Sequence, residues 1–166
     1  MPYSNLKRFG KPGDICFVTM VTNNRSPIFA NENNIKMLLR TFTEVQCIKK
    51  CDIFSYVVLP DHMHLILRSY KFQTGQILHS LKRNFTLNWK KINQGSIFID
   101  KKNLWQERFW EHVINYDREF INHLNYIFNN PVKHGYVESP NDWPYSSFNQ
   151  YNAKNDTDLQ LSETGF

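Results

Sequence analysis

No apolar run in the sequence approaches the roughly 18 residues that a membrane span requires. The opening segment, Met1-Pro-Tyr-Ser-Asn-Leu-Lys-Arg-Phe-Gly10, also lacks the apolar core of a signal peptide. Together these absences lead to the expectation of a cytoplasmic protein with no membrane partner. Cysteine is scarce: Cys16, Cys47 and Cys51 are odd in number and scattered through apolar segments. They give no disulfide framework and no convincing zinc pattern, although Cys47 and Cys51 lie one helical turn apart. Their reading is that of small, semi-buried residues in a reducing compartment. Repeats and low-complexity segments are missing as well. At 166 residues the size prior is one domain, here residues 1–151, followed by a polar, loose tail over 152–166.

What the chain does contain is basic and aromatic. Twenty Lys+Arg against fifteen Asp+Glu leave a net charge of +5, which favours polyanionic partners. Phe, Tyr and Trp make up 15% of the residues and interleave with Lys, Arg and Asn. Such interleaving gives stacking surfaces beside phosphate contacts, as single-stranded nucleic acid requires; the same rings also fill cores.

After the Lys11-Pro-Gly-Asp14 turn signal, Ile15 to Thr22 reads as a strand with Phe17, Thr19 and Val21 on one face and Cys16, Val18 and Met20 on the other. Asn31 to Lys50 reads as a helix capped by Asn31 or Asn33, with an apolar stripe through Ile35, Leu38, Leu39, Phe42, Val45 and Cys47 or Ile48. Ile53 to Val58 is the second strand, and a Leu59-Pro60-Asp61 turn leads to a third that opens with His62 and His64. Phe72 to Ile92 is a second helix, buried through Ile77, Leu78, Leu81, Phe85 and Leu87 or Trp89. Its other side carries Lys82, Arg83, Lys90 and Lys91, either a solvated charged face or a set of phosphate contacts. Residues 94–103 read as a loop with room for a short strand, and Glu111 to Ile114 as a strand preceded by Arg108. The order strand, helix, strand, strand, helix, strand, helix points to an α+β fold. The outline is a ferredoxin-like antiparallel sheet with helices packed mainly on one face.

The last helix reads from Asp117 to Asn130, stopped by Pro131. At about 100° per residue its apolar stripe comprises Phe120, Ile121, Leu124, Ile127 and Phe128, and Tyr126 falls nearly opposite, one turn before Asn130. A tyrosine so placed is either amphipathic surface or a reactive group. His62 and His64 raise the same choice, because alternation points both to one face. They are either two polar residues on a rim or half of a metal site.

Taken together, the four residues suit one reaction class. A divalent ion held by His62, His64 and Asn130 would keep positions open for phosphate oxygens, and Tyr126 could attack phosphorus and store the bond energy covalently. Two imidazoles and an amide would also hold Zn²⁺ at least as tightly as Mg²⁺ by the usual affinity order.

The stretch Leu59-Pro-Asp-His-Met-His-Leu-Ile-Leu67 resembles the histidine–hydrophobe–histidine (HUH) signature of the single-tyrosine transposases. Tyr126-Ile-Phe-Asn-Asn-Pro-Val-Lys-His-Gly135 is similar to their catalytic tyrosine helix. Within that superfamily, Pro12-Gly13 before the first strand, Trp105-Gln-Glu-Arg-Phe-Trp110 and Asp142-Trp-Pro-Tyr-Ser-Ser147 resemble the REP-associated tyrosine transposases. The resemblance implies an HUH endonuclease fold and a Mg²⁺- or Mn²⁺-dependent nuclease and strand transferase. Its substrate would be single-stranded DNA hairpins of repetitive extragenic palindromes, and it would act as a monomer. It makes His62, His64 and Asn130 the metal ligands and Tyr126 the nucleophile of a 5′-phosphotyrosine. DNA contacts are expected from Lys82, Arg83, Lys90, Lys91, Arg108 and Lys133. Tyr116 is the competing nucleophile, and His112 and His123 are left without a role. The alternatives are a domesticated protein that binds DNA hairpins without cutting them, and an RNA-directed protein.

Overall fold

The computed structural model describes residues 10–93 and 103–153. The expectations for residues 94–102 and for most of the C-terminal tail lie outside them.

The first strand, β1 (Ile15–Val21), leads through two short 3-10 turns into α1 (Glu32–Lys49). Asn31 caps α1 by accepting from the backbone N–H of Asn33 at 2.9 Å, which satisfies one of the donors a helix start leaves open. The β2 (Cys51–Val58) and β3 (His62–Ser69) strands form the expected antiparallel hairpin, closed where Leu59 N–H donates to the His62 carbonyl at 2.8 Å. The next helix, α2 (Thr74–Ile92), starts two residues later than its periodicity suggested, because Gln73 and Gln76 bond reciprocally across the first turn and fix the start there. The short β4 (Trp110–Ile114) and α3 (Asp117–Lys133) complete the order.

The sheet order is β2-β3-β1-β4, with every neighbouring pair antiparallel. This is the ferredoxin-like arrangement, in which each strand–helix–strand unit is split by a strand of the other. Its two faces bury different sets of residues. Cys16, Val18, Met20, Met63, Leu65 and Leu67 meet Leu38, Phe42, Leu78, Leu81 and Phe85 of α1 and α2. On the other face Phe17 and Ile66 meet Leu124, Ile127 and Phe128 of α3. Two helices therefore cover one face and the third covers the opposite one. A fully buried leucine in the first of these layers, such as Leu38 or Leu81, stabilises the fold by about 2–5 kcal/mol against truncation to Ala.

The outer edge of β2 is covered as well: Val58 N–H donates to Tyr145 O at 2.9 Å and Ser147 N–H to Tyr56 O at 3.0 Å. The C-terminal segment thus satisfies a row of backbone groups that would otherwise be an open sheet edge. Trp143 adds its indole N–H to the Val58 carbonyl at 3.0 Å.

Two features of α3 differ from the sequence reading. Pro131 does not stop the helix, which continues to Lys133. The stop is Gly135, in the left-handed region at φ 72°, where Gly135 N–H donates to Val132 O and Tyr136 N–H to Pro131 O. These two bonds make the glycine-based closure that satisfies the last carbonyls of a helix. The buried face is also turned. Ile121 is 49% exposed, whereas Asn130 is fully buried. The sheet below α3 is polar at its histidine end, so the helix presents polar residues there rather than a purely apolar stripe.

Candidate active site

His62 and His64 open β3 immediately after the 59–61 turn, and the β1–β3 register sets Val21 opposite His62 and Thr19 opposite His64. Strand alternation sends Met63 and Leu65 to the α1/α2 side and the two imidazoles to the α3 side. They are not rim residues facing solvent: His62 is 7% exposed and His64 5%. The two rings lie 5.1 Å apart, edge to face.

Each imidazole is held at Nδ1. His62 Nδ1 lies 2.6 Å from Asp61 Oδ1, and the carboxylate partner makes that nitrogen the N–H donor. Asp61 is held in turn by Arg25, whose Nη1 donates to Oδ2 at 3.0 Å. His64 Nδ1 lies 2.8 Å from Thr19 Oγ1. Among the described residues neither Nε2 has a hydrogen-bond partner. An imidazole anchored at Nδ1 with Nε2 open is oriented as metal-binding histidines are.

Electrostatics set the protonation. Burial, reinforced by positive charge from His62, His134 and Lys133, pushes His64 down to about 3. Burial also lowers His62, with the Asp61 carboxylate offsetting part of that. Desolvation opposes ionisation of Asp61, yet its bonds from His62 and Arg25 hold its carboxyl below the usual range. At neutral pH both imidazoles are therefore uncharged, the form that can offer a lone pair to a cation.

From the other side α3 supplies Tyr126 and Asn130. The Tyr126 ring meets His64 edge-on at 5.2 Å and Phe17 at 5.8 Å, so it leans onto the sheet rather than pointing away from it. It is nevertheless 39% exposed, which leaves it open to a large substrate. Lys133 Nζ lies 5.3 Å from the Tyr126 ring centroid, and the His134 ring 5.4 Å from that of His62. Asn130 is the anomaly: it is fully buried, and both its amide oxygen and its amide nitrogen lack a hydrogen-bond partner. Leaving a buried amide unpaired costs about 1–3 kcal/mol, and the unpaired oxygen is free to act as a donor atom. Two neutral imidazoles with open Nε2 atoms and an unpaired amide form a donor set that fits a divalent cation.

Tyr116, the competing nucleophile, caps the start of α3 and is 65% exposed. Ten residues along a helix separate it from Tyr126, about 15 Å. The basic residues divide. Lys133 stands beside Tyr126, but Lys82, Arg83, Lys90 and Lys91 belong to α2, on the opposite face of the sheet from the histidines. Lys82 is further engaged, donating to the carbonyls of Gln106 at 2.8 Å and Glu107 at 3.4 Å, with its pKa lowered by burial. With Arg83 and Thr86 it lines a groove of about 280 Å³ against residues 103–107. Arg108 is exposed just before β4.

Several residues of this region had no role in the sequence reading. Asp61 is adjacent to His62 in sequence, and Thr19 shares the face parity of Phe17, so both carried a signal. His134, just past the expected helix stop, could be read as a phosphate contact or as a turn residue, but its place beside His62 carried no signal. Phe17 lies flat between His64, at 5.5 Å and 22°, and His123, at 4.5 Å and 21°. His123 itself belongs to a cluster with His112 and Glu119.

The chain matches the family of IS200-like transposases over residues 16–130. It is 34% identical to the REP-associated tyrosine transposase of Escherichia coli strain K12 over 149 residues, covering 89% of this chain and 84% of that one. A Haemophilus influenzae relative, given the same name provisionally, is 32% identical over 155 residues and covers 89% of this chain and 86% of its own. Among solved structures, a REP-associated tyrosine transposase bound to a REP hairpin superposes with a TM-score of 0.77 at 32% identity, covering 92% of this chain and 87% of that one. The chain belongs to the IS200-like transposases and, within them, to the REP-associated tyrosine transposases.

Proposed function

We propose that the protein is a metal-dependent endonuclease and strand transferase that acts on REP-type single-stranded DNA hairpins through a 5′-phosphotyrosine on Tyr126. The observation that carries this reading is the convergence of Tyr126 on His64, one helical turn from the unpaired Asn130 amide. His62, His64 and Asn130 would hold Mg²⁺ or Mn²⁺. When bound, the ion supplies Lewis-acid polarisation of the scissile phosphate.

The chain's own residues do the rest. Tyr126 Oη gives up its proton as it forms a bond to phosphorus, the bond from phosphorus to the 3′ oxygen breaks, and that oxygen takes up one proton from solvent and leaves as a 3′ hydroxyl, so the step releases no net proton. The 5′ phosphate stays on the tyrosine, so the energy of the broken phosphodiester is kept for rejoining. Asp61 and Thr19 hold the imidazoles in place, so no reorganisation is needed when substrate arrives. Lys133 places a positive charge beside the Tyr126 ring, where the phosphate would enter. Arg108, and the α2 residues Arg83, Lys90 and Lys91 with Lys82, are proposed as backbone contacts for a hairpin long enough to reach past the sheet edge. Tyr126 and His64 come from one chain, which supports action as a monomer.

The test is a labelled REP hairpin with flanking single strand, incubated with Mn²⁺ or Mg²⁺ and resolved under denaturing conditions. Wild type gives a covalent protein–DNA band, Tyr126→Phe gives none, and Tyr116→Phe retains it. An adduct surviving in Tyr126→Phe overturns the nucleophile assignment. Tight hairpin binding without any adduct under either metal would instead identify a domesticated binding protein, and preference for the matched RNA hairpin would redirect the substrate.

A further inference from the structure

Outside the proposed active site, the same face of the sheet holds a second group of metal-binding side chains. His112 lies in β4, while Glu119 and His123 lie one turn apart on α3. One ligand atom from each falls within 4.8 Å of the other two. His112 Nε2 and Glu119 Oε1 are in direct contact. The second carboxylate oxygen, Oε2, accepts from the Asn115 backbone N–H at 2.8 Å, so the carboxylate is aimed rather than free. All three residues are half-buried. Around the cluster, the His112 ring is backed by Trp110, stacked at 5.9 Å and 11°, and that of His123 by Phe17 at 4.5 Å.

We propose that His112, Glu119 and His123 form a second metal site, distinct from His62 and His64, that takes a borderline divalent ion of the zinc type and clamps α3 to β4. The donor chemistry suits that ion: two imidazoles and one carboxylate match Zn²⁺ with a fourth position for water, and the Glu119 carboxylate supplies the negative charge that the His62, His64 and Asn130 set lacks. Ligands about 2.0 Å from a tetrahedral ion sit about 3.3 Å from one another. Drawing the ligand atoms from within 4.8 Å to that spacing takes side-chain shifts of about 1–2 Å, and the His112–Glu119 contact gives way to two metal bonds. His123 precedes Tyr126 by three residues, and its ring shares Phe17 with His64. A filled site would therefore fix the part of α3 that presents Tyr126.

The site is tested by titrating the full-length protein with Zn²⁺ and following the histidine side chains by NMR. His112 and His123 are read separately from His62 and His64, and a thermal melt is run in parallel. The expected result is a shift of the His112 and His123 ring signals that saturates at one equivalent, with a Tm rise of several degrees. Glu119→Gln, which keeps the bond from Asn115, and His123→Ala should each weaken that response at least tenfold. Zinc responses at His62 and His64 alone would support the active-site reading and overturn this one. An undiminished response of His112 in Glu119→Gln would overturn it as well, leaving the cluster as a hydrogen-bonded pair beside a spectator histidine.

Discussion

Thr19 on β1 holds His64 on β3 across the strand pair, with its Oγ1 2.8 Å from the imidazole Nδ1. The contact follows from register alone, since the two residues are direct cross-strand partners on the face that carries α3. Its consequence is geometric: the ring is turned so that Nε2 is the nitrogen left open. Thr19→Val keeps the shape and β-branching but removes the hydroxyl. The expected result is a fold stable to within about 1–2 kcal/mol of wild type and a loss of about 10- to 100-fold in Mn²⁺ affinity, the usual effect of losing an outer partner. Calorimetric Mn²⁺ titration of the two proteins measures it. Equal affinities would show that His64 is oriented by packing between Phe17 and Tyr126 instead.

If the proposed function holds, Asn130 should make stability and activity trade against each other. Its buried amide has no partner, so the apo fold carries the desolvation of two polar atoms with nothing in return. Asn130→Leu, close in volume, removes that penalty. In EDTA the variant should be more stable than wild type by about 1–3 kcal/mol in urea unfolding, and it should form no covalent adduct with hairpin DNA. A destabilised Asn130→Leu protein would mean that the amide has a structural partner such as buried water.

The buried imidazoles give the apo protein a specific pH dependence. His64 stays neutral in the fold down to about 3, and burial lowers His62 too, whereas the unfolded chain binds protons at both from about 6.5. The unfolded state therefore holds more protons below that value, and stability is full above pH 6.5 and falls as pH drops toward the folded values. Each such histidine contributes a slope of up to about 1.4 kcal/mol per pH unit. Carboxylates lose stability only nearer pH 4, so the window from about 5 to 6.5 isolates the imidazoles. Denaturant unfolding in EDTA across that window should show the decline, and His64→Phe should remove roughly one proton of it. An unchanged slope in His64→Phe would place the titration elsewhere.

How far the sequence carried is clearest on α3. The order of elements, the hairpin and the His62–His64 face were legible because strand alternation and turn residues are local signals. The orientation of α3 was not. Its apolar stripe counted Ile121, which is exposed, and set Tyr126 opposite the core, whereas the helix rolls to bring Tyr126 onto His64 and to bury Asn130. Helical periodicity assumes an apolar partner surface, and here the partner is two histidines. Pro131 misled in a similar way. Its missing N–H is tolerated near a helix end, and the stop came from Gly135 four residues later. The His112–Glu119–His123 cluster joins two elements, so no linear spacing revealed it.

Gly10 and Gly135 are held for different reasons, and alanine separates them. At Gly135 the backbone lies at φ 72° with nothing within 4 Å of an added Cβ, so Gly135→Ala meets only the left-handed conformational penalty of about 1–2 kcal/mol. At Gly10 an added Cβ would stand 2.3 Å from Cys16 Sγ, 2.7 Å from Thr74 Oγ1 and 2.8 Å from Glu111 Oε1. Those atoms cannot all yield. Gly10 N–H donates to that same Glu111 oxygen at 2.8 Å, and Thr74 Oγ1 donates to Cys16 Sγ at 3.3 Å. The contact ties the start of β1 to α2 and β4, so displacing it loosens three elements and adds overpacking of about 1–3 kcal/mol to the lost bonds. Urea unfolding should rank Gly10→Ala as the larger loss, with Gly135→Ala the milder. Where the chain relieves the left-handed penalty by shifting the turn, Gly135→Ala displaces His134 from its place beside His62, so it rather than Gly10→Ala should alter hairpin cleavage. A Gly10→Ala protein as stable as wild type would show that Cys16 and Thr74 can part without cost.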